Sequence, residues 1–123
     1  MTRDLADLIA RVETATADDD VGTLIILASM RCGWANADWW PEIMAFLRAG
    51  AFTDAMLALV ERCLPGWRGD LDVLGSFADD GTFGFRLFPP DGGDMKAGEA
   101  STPPLAILLA LLRALQSQEP SDG

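Results

Sequence analysis

The stretch WRGDLDVLGSFADDGTFGFRLFPP, residues 67–90, decides the fold, because along it the apolar period changes from the helical 3.6 to 2. Trp67, Leu71, Val73, Phe77, Phe83, Phe85 and Leu87 occupy odd positions, while Arg68, Asp70, Asp72, Thr82 and Arg86 alternate with them. Such alternation predicts a β-hairpin over 67–89 with one buried and one polar face. A two-residue Asp80-Gly81 turn would divide the apolar set between the two faces. A three-residue Asp79-Asp80-Gly81 loop keeps it together, pairing Phe77 with Phe83, Gly75 with Phe85 and Val73 with Leu87. The longer loop is therefore expected, with Gly81 left-handed. It would set Arg86 opposite Leu74 and diagonal to Asp72.

Outward from the hairpin the pattern is helical. Leu5, Leu8, Ile9 and Val12 form one stripe behind Thr2 as N-cap. After TATADDD, the run VGTLIILASM reads as a helix from about residue 20 to 31, with Asp19 or Asp20 as its cap. A third helix is expected behind Asp38, with Pro41 in its first turn and Gly50 as its stop. A fourth is expected behind Thr53, with Met56, Leu57, Val60 and Leu64 along one side and Pro65-Gly66 ending it. After the hairpin, MKAGEA suggests a third strand over 94–99. Thr102 then caps a C-terminal helix over 103–117 that opens on two prolines lacking N–H donors where none is needed. There Leu105, Leu108, Leu109, Leu112 and Leu115 face the core, and Arg113 is expected to complement the dipole. The fold class is α+β, helices packed on a small antiparallel sheet, in a single domain over 1–118 with a disordered tail at 119–123.

Composition bounds the function. Of 123 residues, half are apolar, and area scaling puts about two thirds of the unfolded surface inside. Nineteen acidic residues against nine basic give a net charge of −10, a field that repels phosphate backbones and anionic membranes. The charge is read first as a source of solubility, and more sharply as an acidic surface shaped to meet a basic partner, with nucleic acid and membrane not expected. Charged residues interrupt the N-terminal segment, and the longest apolar run, PPLAILLALL, is too short to span a bilayer, so a cytoplasmic location is expected. Reduced, buried thiols at Cys32 and Cys63 are expected from that location, with a disulfide as the alternative.

Catalytic constellations are absent from the sequence. The chain has no histidine, which removes the usual base near neutral pH, and two isolated cysteines make no zinc site. Asp70 and Asp72 share a strand face, but Arg68 and Arg86 share it too, so a salt-bridged ladder is expected rather than a metal site. No glycine pattern matches a phosphate loop. The order helix, three strands, helix over 54–118 is that of a double-stranded-RNA-binding domain, but the last helix begins STPPLA, without the basic grip such domains need. No catalytic residue, metal or cofactor is therefore assigned.

The candidate binding residues are Trp34, Trp39, Trp40, Arg31, Arg68, Asp70, Asp72 and Arg86. Three of the four tryptophans fall within GWANADWW, residues 33–40, where Trp39 and Trp40 head apolar rows of a helix. Core packing, a protein interface and a stacking site for a planar ligand are the three readings. The last requires some of Arg31, Arg48, Arg68 and Arg86 to converge near a tryptophan.

LADLIARVETAT, FTDAMLALVERCLPGW and AGEASTPPLAILLALLRAL, with a glycine-punctuated hairpin between the last two, occur in an order that resembles the phage ABA-sandwich domain family of small uncharacterised proteins. Its members carry a similar first helix, a TxxLDAALxLVPxGW-like stretch and a TPALALxxAALRA-like last helix. The resemblance covers most of the chain apart from residues 32–50. It implies phage or prophage origin and an α-β-α arrangement, and it carries no catalytic residues. A sheet covered on both faces conflicts with the charged face of the hairpin, so that face is expected to be only partly covered or to be met by a partner. The expected function is a non-enzymatic accessory protein binding a host protein, with a defence antagonist as one form of it. A sequestering protein for a nucleotide-like signal and an oligomeric phage scaffold are the alternatives.

Overall fold

The computed structural model describes residues 2–15, 21–32, 38–74 and 82–118. Among these lie α1 (Thr2–Thr14), α2 (Val21–Arg31), α3 (Trp40–Arg48), α4 (Phe52–Cys63), β1 (Arg68–Leu74), β2 (Thr82–Phe88), β3 (Lys96–Ala100) and α5 (Pro103–Gln118). The strands form one antiparallel sheet in the order β1-β2-β3, so the α+β class and the third strand stand as expected.

The axis of the molecule is α5. Every residue from Pro104 to Leu112, and Ala114, is buried, which an amphipathic surface helix does not show. The sheet packs on α5 through β2 and β3; α1, α2 and α4 pack on it as well, and α3 lies on α4. Leu5, Val12, Ile25, Met56, Leu59, Leu64 and Leu87 complete the core around this helix. The layer order is thus sheet, central helix, outer helices. The α-β-α arrangement implied by the family resemblance is not seen among the described residues, because the second face of the sheet bears exposed charges.

Two glycines permit the close packing. Gly98 is buried under α5, and Gly69 lies against the Phe85 ring, so a side chain at either position would overlap its neighbour. Thr102 caps α5 as predicted, its Oγ1 accepting from the Leu105 N–H at 3.4 Å, and the helix runs one residue past the expected end.

Several expectations need correction. β1 and β2 pair Val73 with Phe83, Leu71 with Phe85 and Asp70 with Arg86, a register shifted from the predicted one. The shift is by an even number of positions, so each side chain keeps its face; the requirement of one apolar face cannot distinguish registers of the same parity. Arg86 is accordingly opposite Asp70, not Leu74. The predicted Asp79-Asp80-Gly81 loop, the Asp19 or Asp20 cap, and the tail at 119–123 lie outside the described residues.

Thr53 does not cap α4. Gly50, at φ 74°, ends α3 with the Ala51 N–H donating to the Phe46 carbonyl at 2.9 Å, and Ala51 starts the next helix at once, its carbonyl accepting from Ala55. Thr53 is therefore already inside the first turn. Nor does Asp38 cap α3: Trp39 occupies that position and no side chain supplies the bond. Leu57, 44% exposed, points away from the core that Met56, Leu59 and Val60 enter.

Cys32 and Cys63 are joined in a disulfide, with Cα atoms 5.9 Å apart. The expectation of reduced thiols is overturned. It rested on the compartment alone, whereas the fold brings the end of α2 and the end of α4 together.

Candidate interaction surface

The sheet face turned away from α5 holds four of the eight candidate residues. Along β1 it presents Arg68, Asp70 and Asp72, and on β2 Arg86 and Phe88. Arg86 stands directly opposite Asp70, and its guanidinium is shared: Nη2 is 2.9 Å from the Asp72 carboxylate and 3.9 Å from that of Asp70. All three side chains are about half exposed, so these bridges contribute little stability, on the order of 0–1 kcal/mol each.

Phe88 organises the other end of the face. The Arg68 guanidinium lies 5.2 Å and that of Arg86 5.9 Å from its ring centroid, so one ring carries two cations. On β3 the exposed Glu99 pairs with Gly84, which on its other side pairs with Asp72. Three carboxylates therefore share the face with two guanidiniums. Neither Phe88 nor Glu99 was singled out from the sequence. Phe88 follows Arg86 onto this face by alternation alone, whereas Glu99 is placed there by the register of β3 on β2.

The remaining candidates are elsewhere. Trp39 and Trp40 are half-buried, pack against the hydrophobic core, and meet edge to face with centroids 6.4 Å apart. Trp34 lies outside the described residues. Arg31 ends α2 at the rim of a groove of about 240 Å³ between α1 and α2, which Asp7, Leu8, Arg11, Leu27 and Met30 also line. That volume is below the usual range for small-molecule sites. Arg68 and Arg86 converge on the Phe88 ring. The fourth tryptophan, Trp67, lines a hollow of about 270 Å³ with Lys96, Asp91 and Asp94 among its neighbours.

Other polar groups are satisfied structurally. The buried Ser29 hydroxyl donates to the Ile25 carbonyl at 2.9 Å, the ordinary helix back-bond. Arg113 donates to the Ala97 carbonyl at 2.7 Å and to Glu13 at 2.8 Å, tying α5 to β3 and α1 instead of complementing a helix end. Among the described residues no group of three or more potential ligands could hold a metal ion, and no helix is long and apolar enough to cross a membrane. The chain matches no protein-family model, no curated protein and no solved structure.

Proposed function

We propose that this chain is a non-enzymatic accessory protein of phage or prophage origin that acts by binding a host protein with a basic surface. The observation that carries the reading is the uncovered sheet face. A three-stranded sheet packed on one side by α5 leaves Asp70, Asp72 and Glu99 accessible on the other beside Arg68 and Arg86, an excess of acid over base on that face within a chain of net charge −10. Complementary charge steers and orients association more than it supplies affinity. Phage origin, implied by the family resemblance, makes a component of host antiviral defence the class of target, and the host cytoplasm the place of action. Against that place stands the Cys32–Cys63 bond, since disulfides persist mainly in oxidising compartments.

The test is affinity capture from bacterial lysate. A specific protein retained at low salt and released as ionic strength rises supports the reading; repeated capture of nothing specific sinks it.

A second reading, sequestration of a nucleotide-like signal, has Trp67 and Lys96 in its favour, since an indole and an ammonium line one hollow. Asp91 and Asp94 line the same hollow and repel phosphate, so the protein-binding reading is preferred. Quenching of tryptophan fluorescence by cyclic nucleotides would reverse that preference. A stable multimer in light scattering would favour the third reading, an oligomeric phage scaffold.

A further inference from the structure

β1 is an edge strand. It pairs with β2 along its whole length, and no strand lies on its other side among the described residues, leaving a row of backbone donors and acceptors open along seven residues. Natural sheets blunt such edges with charged side chains, prolines, bulges or a covering helix. β1 has no lysine, proline or bulge and α5 packs over β2 and β3 but not over β1, so the charges of Arg68, Asp70 and Asp72 alone decide what can pair there.

The two faces beside that edge differ. On the α5 side Leu71 is 41% exposed although it pairs with Phe85, which is buried, because the helix ends its cover at β2. On the opposite side Arg68, Asp70 and Asp72 flank the edge; Arg68 is drawn to the Phe88 ring, while Asp70 and Asp72 share one guanidinium, that of Arg86, between two carboxylates.

Full-length pairing of the edge with a second copy of the chain is disfavoured. The register that pairs β1 with another β1 over its full length sets Asp70 of each copy opposite Asp72 of the other, and like charges directly opposite are destabilising. The same feature selects for cationic side chains. We propose that β1 is the docking edge for an extended segment of alternating basic and apolar side chains, which adds to the sheet as a fourth strand. Its apolar side chains cover Leu71, and its basic ones stand beside Asp70 and Asp72. This rests on the protein-binding reading and names the mode of contact.

The test uses labelled peptides of about nine residues, long enough to span the seven of β1. One alternates Lys and Val, one Glu and Val, and one Lys and Pro, which carries the same charge as the first but lacks every second N–H and is held near polyproline II by its fixed φ. Binding is read by fluorescence polarisation and by hydrogen exchange over residues 68–74. The Lys-Val peptide is expected to bind and to slow exchange in that segment, with the Glu-Val and Lys-Pro peptides at least about tenfold weaker. Asp70→Lys with Asp72→Lys should reverse the charge preference. Leu71→Lys, at an exposed position, should weaken Lys-Val binding by about tenfold without lowering the melting temperature.

Equal binding of the Lys-Pro peptide, no binding of any peptide, protection confined to the α1–α2 groove, or self-association through 68–74 would each overturn the proposal. A lysate partner held equally well by the Leu71→Lys protein would overturn the edge and leave the binding function standing. Binding of the Lys-Val peptide without any lysate partner would do the reverse.

Discussion

Gly98 lies directly beneath Ala106: a Cβ on Gly98 would stand 2.5 Å from the Ala106 carbonyl oxygen and 2.6 Å from the Ala110 nitrogen. Both are backbone atoms of α5 and cannot rotate away, so contact between helix and sheet depends on the absence of a side chain there. Gly98→Val should destabilise the fold by about 3 kcal/mol or more, at or beyond the upper end of ordinary overpacking, as read by urea unfolding. Gly92→Ala is the control for space alone, since nothing lies within 4 Å of its Cβ position, although its φ of 78° carries a conformational cost of its own.

The Cys32–Cys63 bond closes a loop spanning 31 positions that holds α3 and most of α4. Loop-closure entropy assigns such a link roughly 3–4 kcal/mol. Reduction, or Cys32→Ser with Cys63→Ser, should lower the urea midpoint accordingly. In the folded oxidised protein both cysteines should resist alkylation until a reductant is added.

Arginines of similar appearance should behave differently. Arg86→Ala removes two half-exposed bridges and one cation-π contact, with an expected cost under about 1 kcal/mol. Arg113→Ala removes a charged hydrogen bond to the Ala97 carbonyl and the link to Glu13, with an expected cost of about 1.5–3 kcal/mol. Equal losses in thermal unfolding would refute this division.

Much of this architecture was legible in the chain. Periodicity located the helices and the hairpin because each element buries one face, and the alternation through 67–90 placed Arg68, Asp70, Asp72 and Arg86 together on the polar face before any partner was known. What escaped depends on contacts between distant segments. The register of β1 on β2 is invisible to a face criterion that every even shift satisfies. The disulfide depends on how α2 and α4 meet, and Arg113 acts through Ala97 and Glu13, which only the packed fold brings near. The centrality of α5 could be read in hindsight from PPLAILLALL, which is apolar around the whole helix rather than along a stripe.

The tryptophan pair gives a further check. Trp39 and Trp40 pack against the core while remaining half exposed, so each truncation to Ala should cost about 1–3 kcal/mol, less than a fully buried aromatic. Partner capture should survive both substitutions once stability is allowed for. Loss of capture by a folded Trp39→Ala or Trp40→Ala protein would move the interface to α3.

The proposed meeting place with the partner is the sheet, on the side and edge that α5 leaves open. Hydrogen exchange of the full chain, with and without the protein captured from lysate, tests it most directly. Protection is predicted over residues 68–74 and 82–88, with α3 unchanged. Protection confined to residues 40–48, or to the α1–α2 groove, would contradict the account.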